Sequence, residues 1–193
     1  MYELPKKLNS KNIESVIAKY NVFLENLPVK VEEANSYKLY KLLKREKKSY
    51  PPYLSISFFE AANRIMTDLV IIHGVKKLLE TKIFCGIETT FSEFLIEYGN
   101  ESTTNDDGEV GHDIYAVSLD EKYILKGEAF NVAKDFFQAK KSKMLKKLRE
   151  STKDKDKEIL ILLYNSDAVN PTYQNKKVEK EEHFVINLDS IYL

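Results

Sequence analysis

Residues 158–164 read EILILLY, a run in which only the first position is charged. A strand covered on one face alternates apolar with polar side chains, whereas a nearly unbroken apolar run of strand length is buried on both faces. Cover on both faces requires a layer above the sheet and another below it. The run therefore points to an α/β chain whose mixed central sheet is flanked by helices.

The rest of the chain supplies the layers. Asn9-Ser10 offers a helix cap, and Ile13, Val16, Ile17, Tyr20 and Val22-Phe23-Leu24 recur at helical spacing up to Pro28. A second helix is expected from Val31 to Lys47, ended before Pro51-Pro52. A third, the most apolar segment of the chain, runs from Ser57 to Leu79 and is expected to lie along the sheet. After Lys82 the pattern turns to strands: 83–87, Phe91 to Tyr98, His112 to Ser118 and Tyr123 to Val132. The last two are joined by the tight turn 119–122 into a hairpin. Ala133 to Glu150 is a helix with Phe136, Phe137, Met144, Leu145 and Leu148 on one side, and His183 to Leu188 is a final strand. The division expected is an N-terminal helical region, 1–82, packed on an α/β core, 83–193, as one globular unit.

Composition narrows the class. With 43% hydrophobic and 11% aromatic residues the chain can bury a core. Its 30 basic and 30 acidic side chains cancel, so any attraction to a polyanion must be local. A single cysteine, Cys85, rules out an intrachain disulfide and a thiolate zinc site, and it is expected in the core. The longest apolar run near the third helix, Leu69 to Ile72, is too short to span a bilayer, and the N-terminus does not read as a signal peptide. The expectation is a cytoplasmic protein with no membrane partner.

Two residues stand out chemically. Asp113 opens an apolar strand and Glu128 lies inside another. A carboxylate in such a place is costly unless it is paired, hydrogen-bonded or bound to a cation. Two on adjacent antiparallel strands can converge on one point, the arrangement that a Mg²⁺ ion takes. Such an ion polarises a phosphodiester and acidifies a bound water.

With Gly111-His112-Asp113-Ile114 on one strand and Glu128-Ala129-Phe130 on the next, followed by a helix and a buried strand, the chain resembles the PD-(D/E)XK, or restriction-endonuclease-like, nucleases over roughly 91–164. The resemblance implies a restriction-endonuclease-like fold and a Mg²⁺-dependent endonuclease (Mn²⁺ as a substitute), such as a restriction or defence enzyme acting on DNA, with a homodimer as its cutting form. It implies Asp113 and Glu128 as metal ligands. It also implies an accessory acid from the preceding helix, for which Glu60 is the candidate. Where the family places its lysine this chain has Phe130. Lys126 shares the sheet face of Glu128. Lys140 and Lys141 interrupt the inward stripe of the following helix, and the family's known use of a helix-borne lysine favours Lys141.

The basic run Lys140 to Arg149, with Lys140, Lys143 and Lys147, is a candidate phosphate contact, against the plain reading of a solvated helix face. The three histidines are scattered without ligand spacing, and His112 is expected on the strand face opposite Asp113. Asp106-Asp107-Gly108-Glu109 lacks the register of a calcium loop and reads as connection. The alternative function is a nuclease-fold protein without catalysis, acting as a nucleic-acid- or protein-binding module. Phe130 speaks for it, and the two carboxylates speak for the enzyme.

Overall fold

The computed structural model describes residues 4–27, 36–99, 111–175 and 178–192. Its centre is a six-stranded mixed sheet in the order β1–β6–β7–β8–β9–β10. The strands are β1 (Lys7–Asn9), β6 (Glu93–Ile96), β7 (Ile114–Val117), β8 (Ile124–Phe130), β9 (Glu158–Asn165) and β10 (Glu181–Ile186). β1, β6, β7 and β8 pair antiparallel in turn, while β8–β9 and β9–β10 are parallel. All eight residues of β9 are buried, as its apolar run requires.

Helices cover both faces. On one lie α1 (Ile13–Glu25) and the long α3 (Phe58–Glu80); on the other lies α4 (Phe137–Glu150), the crossover between β8 and β9. α1 turns Ile13, Val16, Tyr20 and Phe23 inward, a spacing of three to four residues that makes one stripe. α3 starts where Ser57 accepts a hydrogen bond from the Glu60 N–H at 3.2 Å, the Ser half of a Ser-x-x-Glu capping box. From Leu69 to Val75 every one of its residues is buried, so it behaves as an internal helix rather than an amphipathic one. On the α3 side Leu125, Ala129, Ile159, Ile161 and Leu163 face the helix within one large core. On the α4 side Phe130, Leu160, Leu162 and Tyr164 meet Phe137, Met144, Leu145 and Leu148 in a second core. The alternation along β8 and β9 sorts these two sets, one residue to each face in turn.

The N-terminal region is more than helices. It contributes β1 to the central sheet, paired with β6 at Leu8↔Phe94. It also contains an antiparallel hairpin of β2 (Lys47–Tyr50) and β3 (Tyr53–Ser57), turned at Pro51-Pro52. The second helix ends at Lys44, short of the expected Lys47, and the chain is already a strand before the prolines, so Pro51-Pro52 turns the hairpin and does not end the helix. The second helix, α2, spans Ser36–Lys44; the expected start at 31–35 lies outside the described residues. The single strand expected at 83–87 is instead a short hairpin of β4 (Ile83–Phe84) and β5 (Ile87–Glu88), reversed at Cys85 and Gly86, both with positive φ. The loop expected at 100–110 also lies outside the described residues. A short C-terminal helix, α5 (Asp189–Tyr192), follows β10. Among the described residues no helix is long and apolar enough to cross a membrane.

Candidate active site

Lys126 and Glu128 alternate with Leu125, Gly127 and Ala129 along β8, so their side chains emerge on the α4 face. Glu128 is 2% exposed, a position where an uncompensated carboxylate would be costly. It is compensated. Lys147 of α4 sets its Nζ 2.7 Å from Glu128 Oε1, and His112 Nδ1 lies 2.8 Å from the same oxygen. Asp113 joins them from the entrance of β7, where its Oδ2 accepts a hydrogen bond from the Ala129 N–H at 2.7 Å. That bond fixes the Asp113 carboxylate against the strand that carries Glu128. The Asp113 carbonyl is held as well, accepting from the Glu97 N–H at 3.0 Å.

The electrostatics follow from this crowding. Burial and the neighbouring negative charge of Glu128 push the Asp113 carboxyl up to about 7, against the Ala129 N–H and the charges of Lys147 and Lys140. Two carboxylates sharing a buried place repel each other, and a cation relieves that repulsion. Here the cation is the Lys147 ammonium.

The expected residues divide clearly. Asp113 and Glu128 share one site. Of the basic candidates on α4, Lys147 reaches Glu128 and Lys140 acts on Asp113 through its charge, while Lys143 is exposed. Lys141, expected to supply the displaced lysine, donates instead to the Tyr173 hydroxyl at 2.6 Å and flanks the Phe137 and Tyr173 rings. Lys126 is bound away from Glu128: its Nζ pairs with buried Glu158 at 2.7 Å and donates to the Ser151 carbonyl at 2.9 Å. Glu158 also accepts from the Lys153 N–H, so this pair staples the α4–β9 connection. Glu60 is exposed and pairs with Arg64 one turn along at 2.9 Å, serving the start of α3 and not the site. His112 corrects the expectation of opposite faces, because β7 begins only at Ile114 and the preceding bend frees His112 and Asp113 from strand alternation.

Phe130, in the place where a lysine was looked for, is 2% exposed and packs between Phe137 and Tyr164 at ring distances of 5.9 and 5.7 Å. An ammonium there would be desolvated among rings, so the position belongs to the core. Beside the site a cavity of about 590 Å³ opens between His112, Tyr115, Lys6 and Ser151. Among the described residues no three of His, Cys, Asp and Glu converge as a metal-holding group; the site offers two carboxylates with an imidazole on one of them.

A second buried carboxylate was not singled out in the sequence. Asp68, in the middle of α3, is fully buried and accepts hydrogen bonds from the Tyr20 and Tyr53 hydroxyls and from the Gly99 N–H at 3.1 Å. Burial raises its pKa to about 6 against those three donors and the Arg64 charge. The signal was present: Asp68 interrupts the most apolar stretch of the chain, the same mark that drew notice to Asp113 and Glu128. Through Gly99 this centre fixes the segment that leaves β6, two residues beyond the Glu97 N–H that holds Asp113.

Compared with protein-family models, with curated proteins and with solved structures, the chain gives no match, so its site is read from its own geometry.

Proposed function

We propose that the chain is a metal-dependent endonuclease of the restriction-endonuclease-like kind, hydrolysing phosphodiester bonds in DNA through Asp113, Glu128 and Lys147. The observation that carries the proposal is the meeting of buried Glu128 on β8 and half-buried Asp113 at the entrance of β7 with a helix-borne ammonium 2.7 Å from Glu128. The order of elements supports it: a long helix, three antiparallel strands, a crossover helix, then a buried parallel strand.

The donor set suits a hard divalent cation. Mg²⁺ is commonly held by one or two carboxylates and completes its shell with water and substrate phosphate, so two protein oxygens suffice. Burial, with the Glu128 charge beside it, raises the Asp113 pKa, and a bound cation would lower it again. When bound, the cation supplies polarisation of the phosphoryl oxygen and a more acidic water. The protein's own groups do the rest. The Ala129 N–H orients Asp113, and His112 orients Glu128. The Lys147 ammonium, one quarter exposed, stands where it can hold the attacking water and offset the charge that grows on the phosphate.

One observation favours the rival, a non-catalytic module on the same scaffold. Glu128 is already compensated by Lys147 and His112, so the cluster is complete as a structural network. Supercoiled plasmid incubated with Mg²⁺ and the wild-type chain separates the two readings, with Glu128→Gln as the control. Nicking by the wild type and none by the variant is the expected result. No nicking by either, from protein shown to be folded, favours the module.

A further inference from the structure

We infer that α2 and the β2–β3 hairpin form a duplex-DNA-binding face on the α3 side of the sheet, tied to the strand that leads to the candidate site; the inference deepens the nuclease reading and rests on it for the identity of the ligand. Residues 36–50, SYKLYKLLKREKKSY, carry six basic side chains (Lys38, Lys41, Lys44, Arg45, Lys47 and Lys48) against the single acid Glu46. All six are exposed. A chain with 30 charges of each sign thus concentrates an excess of five positive charges in fifteen residues. Residues 137–150, the α4 segment bearing Lys147, hold the same excess, six basic residues against Glu150, so the rest of the chain is net acidic by ten. Neutrality overall hides two local positive fields, and one of them belongs to the helix of the candidate site.

Three features make the first of these fields a docking surface. α2 buries none of its residues completely: Leu39, Leu42 and Leu43 are only half-covered, while Lys38, Lys41 and Arg45 fall at i, i+3 and i+7 on one outer stripe. Large apolar side chains stand out in the same unit, with Tyr37 70%, Leu54 60% and Tyr40 48% exposed, while Lys44 lies over the ring of the adjoining Phe59. The basic side chains suit the phosphates of a duplex, and the exposed Tyr37 and Tyr40 can add backbone contacts beside them. Finally, the hairpin is tied to the strand leading to the site. Tyr53 of β3 donates to Asp68, which accepts from the Gly99 N–H, and a Cβ on Gly99 would lie 3.0 Å from the Tyr53 ring. The chain at Gly99 is two residues past Glu97, whose N–H holds the Asp113 carbonyl. A duplex lying on the basic face is thereby kept in a fixed relation to Asp113.

The test is fluorescence anisotropy of a labelled 20-base-pair duplex in EDTA, titrated with the full-length chain over a range of KCl concentrations. The variants are Lys41→Gln/Arg45→Gln/Lys47→Gln and, as a control at exposed lysines away from α2 and the site, Lys122→Gln/Lys155→Gln, with thermal unfolding to show that both are folded. Removing three phosphate contacts lowers the steepness of log K against log salt by about 2–3 and weakens binding at low salt at least tenfold. The Lys122→Gln/Lys155→Gln control binds as the wild type does. Unchanged affinity and slope in the triple variant would overturn the inference. So would tighter binding of the wild type to phosphatidylserine vesicles than to the duplex, or to single-stranded DNA or RNA than to the duplex. The nuclease reading fails separately: a patch-dependent duplex complex that never nicks with Mg²⁺ sinks catalysis and leaves the binding face standing, while nicking by a triple variant with unaltered binding does the reverse.

Discussion

At the scale of single residues, the account turns on which lysine stands beside Glu128. Lys147 forms a direct ion pair there, whereas Lys141 is committed to Tyr173. Lys147→Met is therefore expected to reduce nicking by about 10²-fold or more, the size of losing one preorganised charge at a developing anion. Lys141→Met should stay within a few-fold of the wild type, and a plasmid-nicking time course compares the two. The carboxylates were legible in the sequence because a charge inside an apolar strand needs a reason. The lysine was not. Lys140 and Lys147 flank the inward stripe of α4 on one side and Lys141 on the other, and only the strand order says which side faces β7 and β8. Asp68 gives a second prediction at this scale. Its folded pKa, about 6, is above the ordinary aspartate value of 3.8, so its contribution to stability is present below the unfolded pKa and lost as pH rises through 6. Urea unfolding at pH 5 and pH 7 should show the wild type gaining about 1 kcal/mol at the lower pH relative to Asp68→Asn. Equal pH dependence in the two proteins would contradict the assignment.

At the scale of elements, the helices and the buried strand follow from periodicity, while the short pairings do not. The all-buried β9, the inward stripe of α4 and the apolar α3 each impose one pattern over eight or more residues, enough for the period to show. β1 is three residues and pairs with β6 far along the chain, which no local pattern records; β4 and β5 are two residues each, too short for a period to show. β2 is hidden for another reason, its sequence KKSY being charged and polar, while β3, YLSIS, is short and leaves Leu54 exposed, so neither shows a buried apolar face. The packing of α3 on the sheet makes its own prediction. At Gly74 a Cβ would come 2.3 Å from Leu163 Cδ1, a side chain that is itself fully buried, so the glycine permits the close approach of helix and strand. Gly74→Ala should cost about 1–3 kcal/mol by overpacking, despite alanine's better helix propensity. Chemical denaturation measures it, and a stabilised variant would show that α3 is free to shift.

At the scale of the whole molecule, the sheet divides its labour. Its β8–β9–β10 half is parallel, with β9 buried on both faces, and the core under α4 belongs to it, while the core under α3 runs across both halves. Its β1–β6–β7 half is antiparallel and carries exposed Leu95 and Val117, with the cavity beside His112 on that part of the sheet. The candidate site sits at the seam, where β7 begins and β8 nears its end, with α4 closing it from above. Such a seam lets half-buried Asp113 and buried Glu128 meet outside either apolar core, where the Ala129 N–H and Lys147 compensate them. The central claim is that they converge to hold a divalent cation. Its most direct test is Mn²⁺ titration by isothermal calorimetry of the full chain and of Asp113→Ala. The account predicts one saturable site at millimolar affinity or better in the wild type and none in the variant. A wild type that binds no Mn²⁺, or an Asp113→Ala chain that binds it equally well, would contradict the claim and leave Asp113, Glu128, His112 and Lys147 as a structural network.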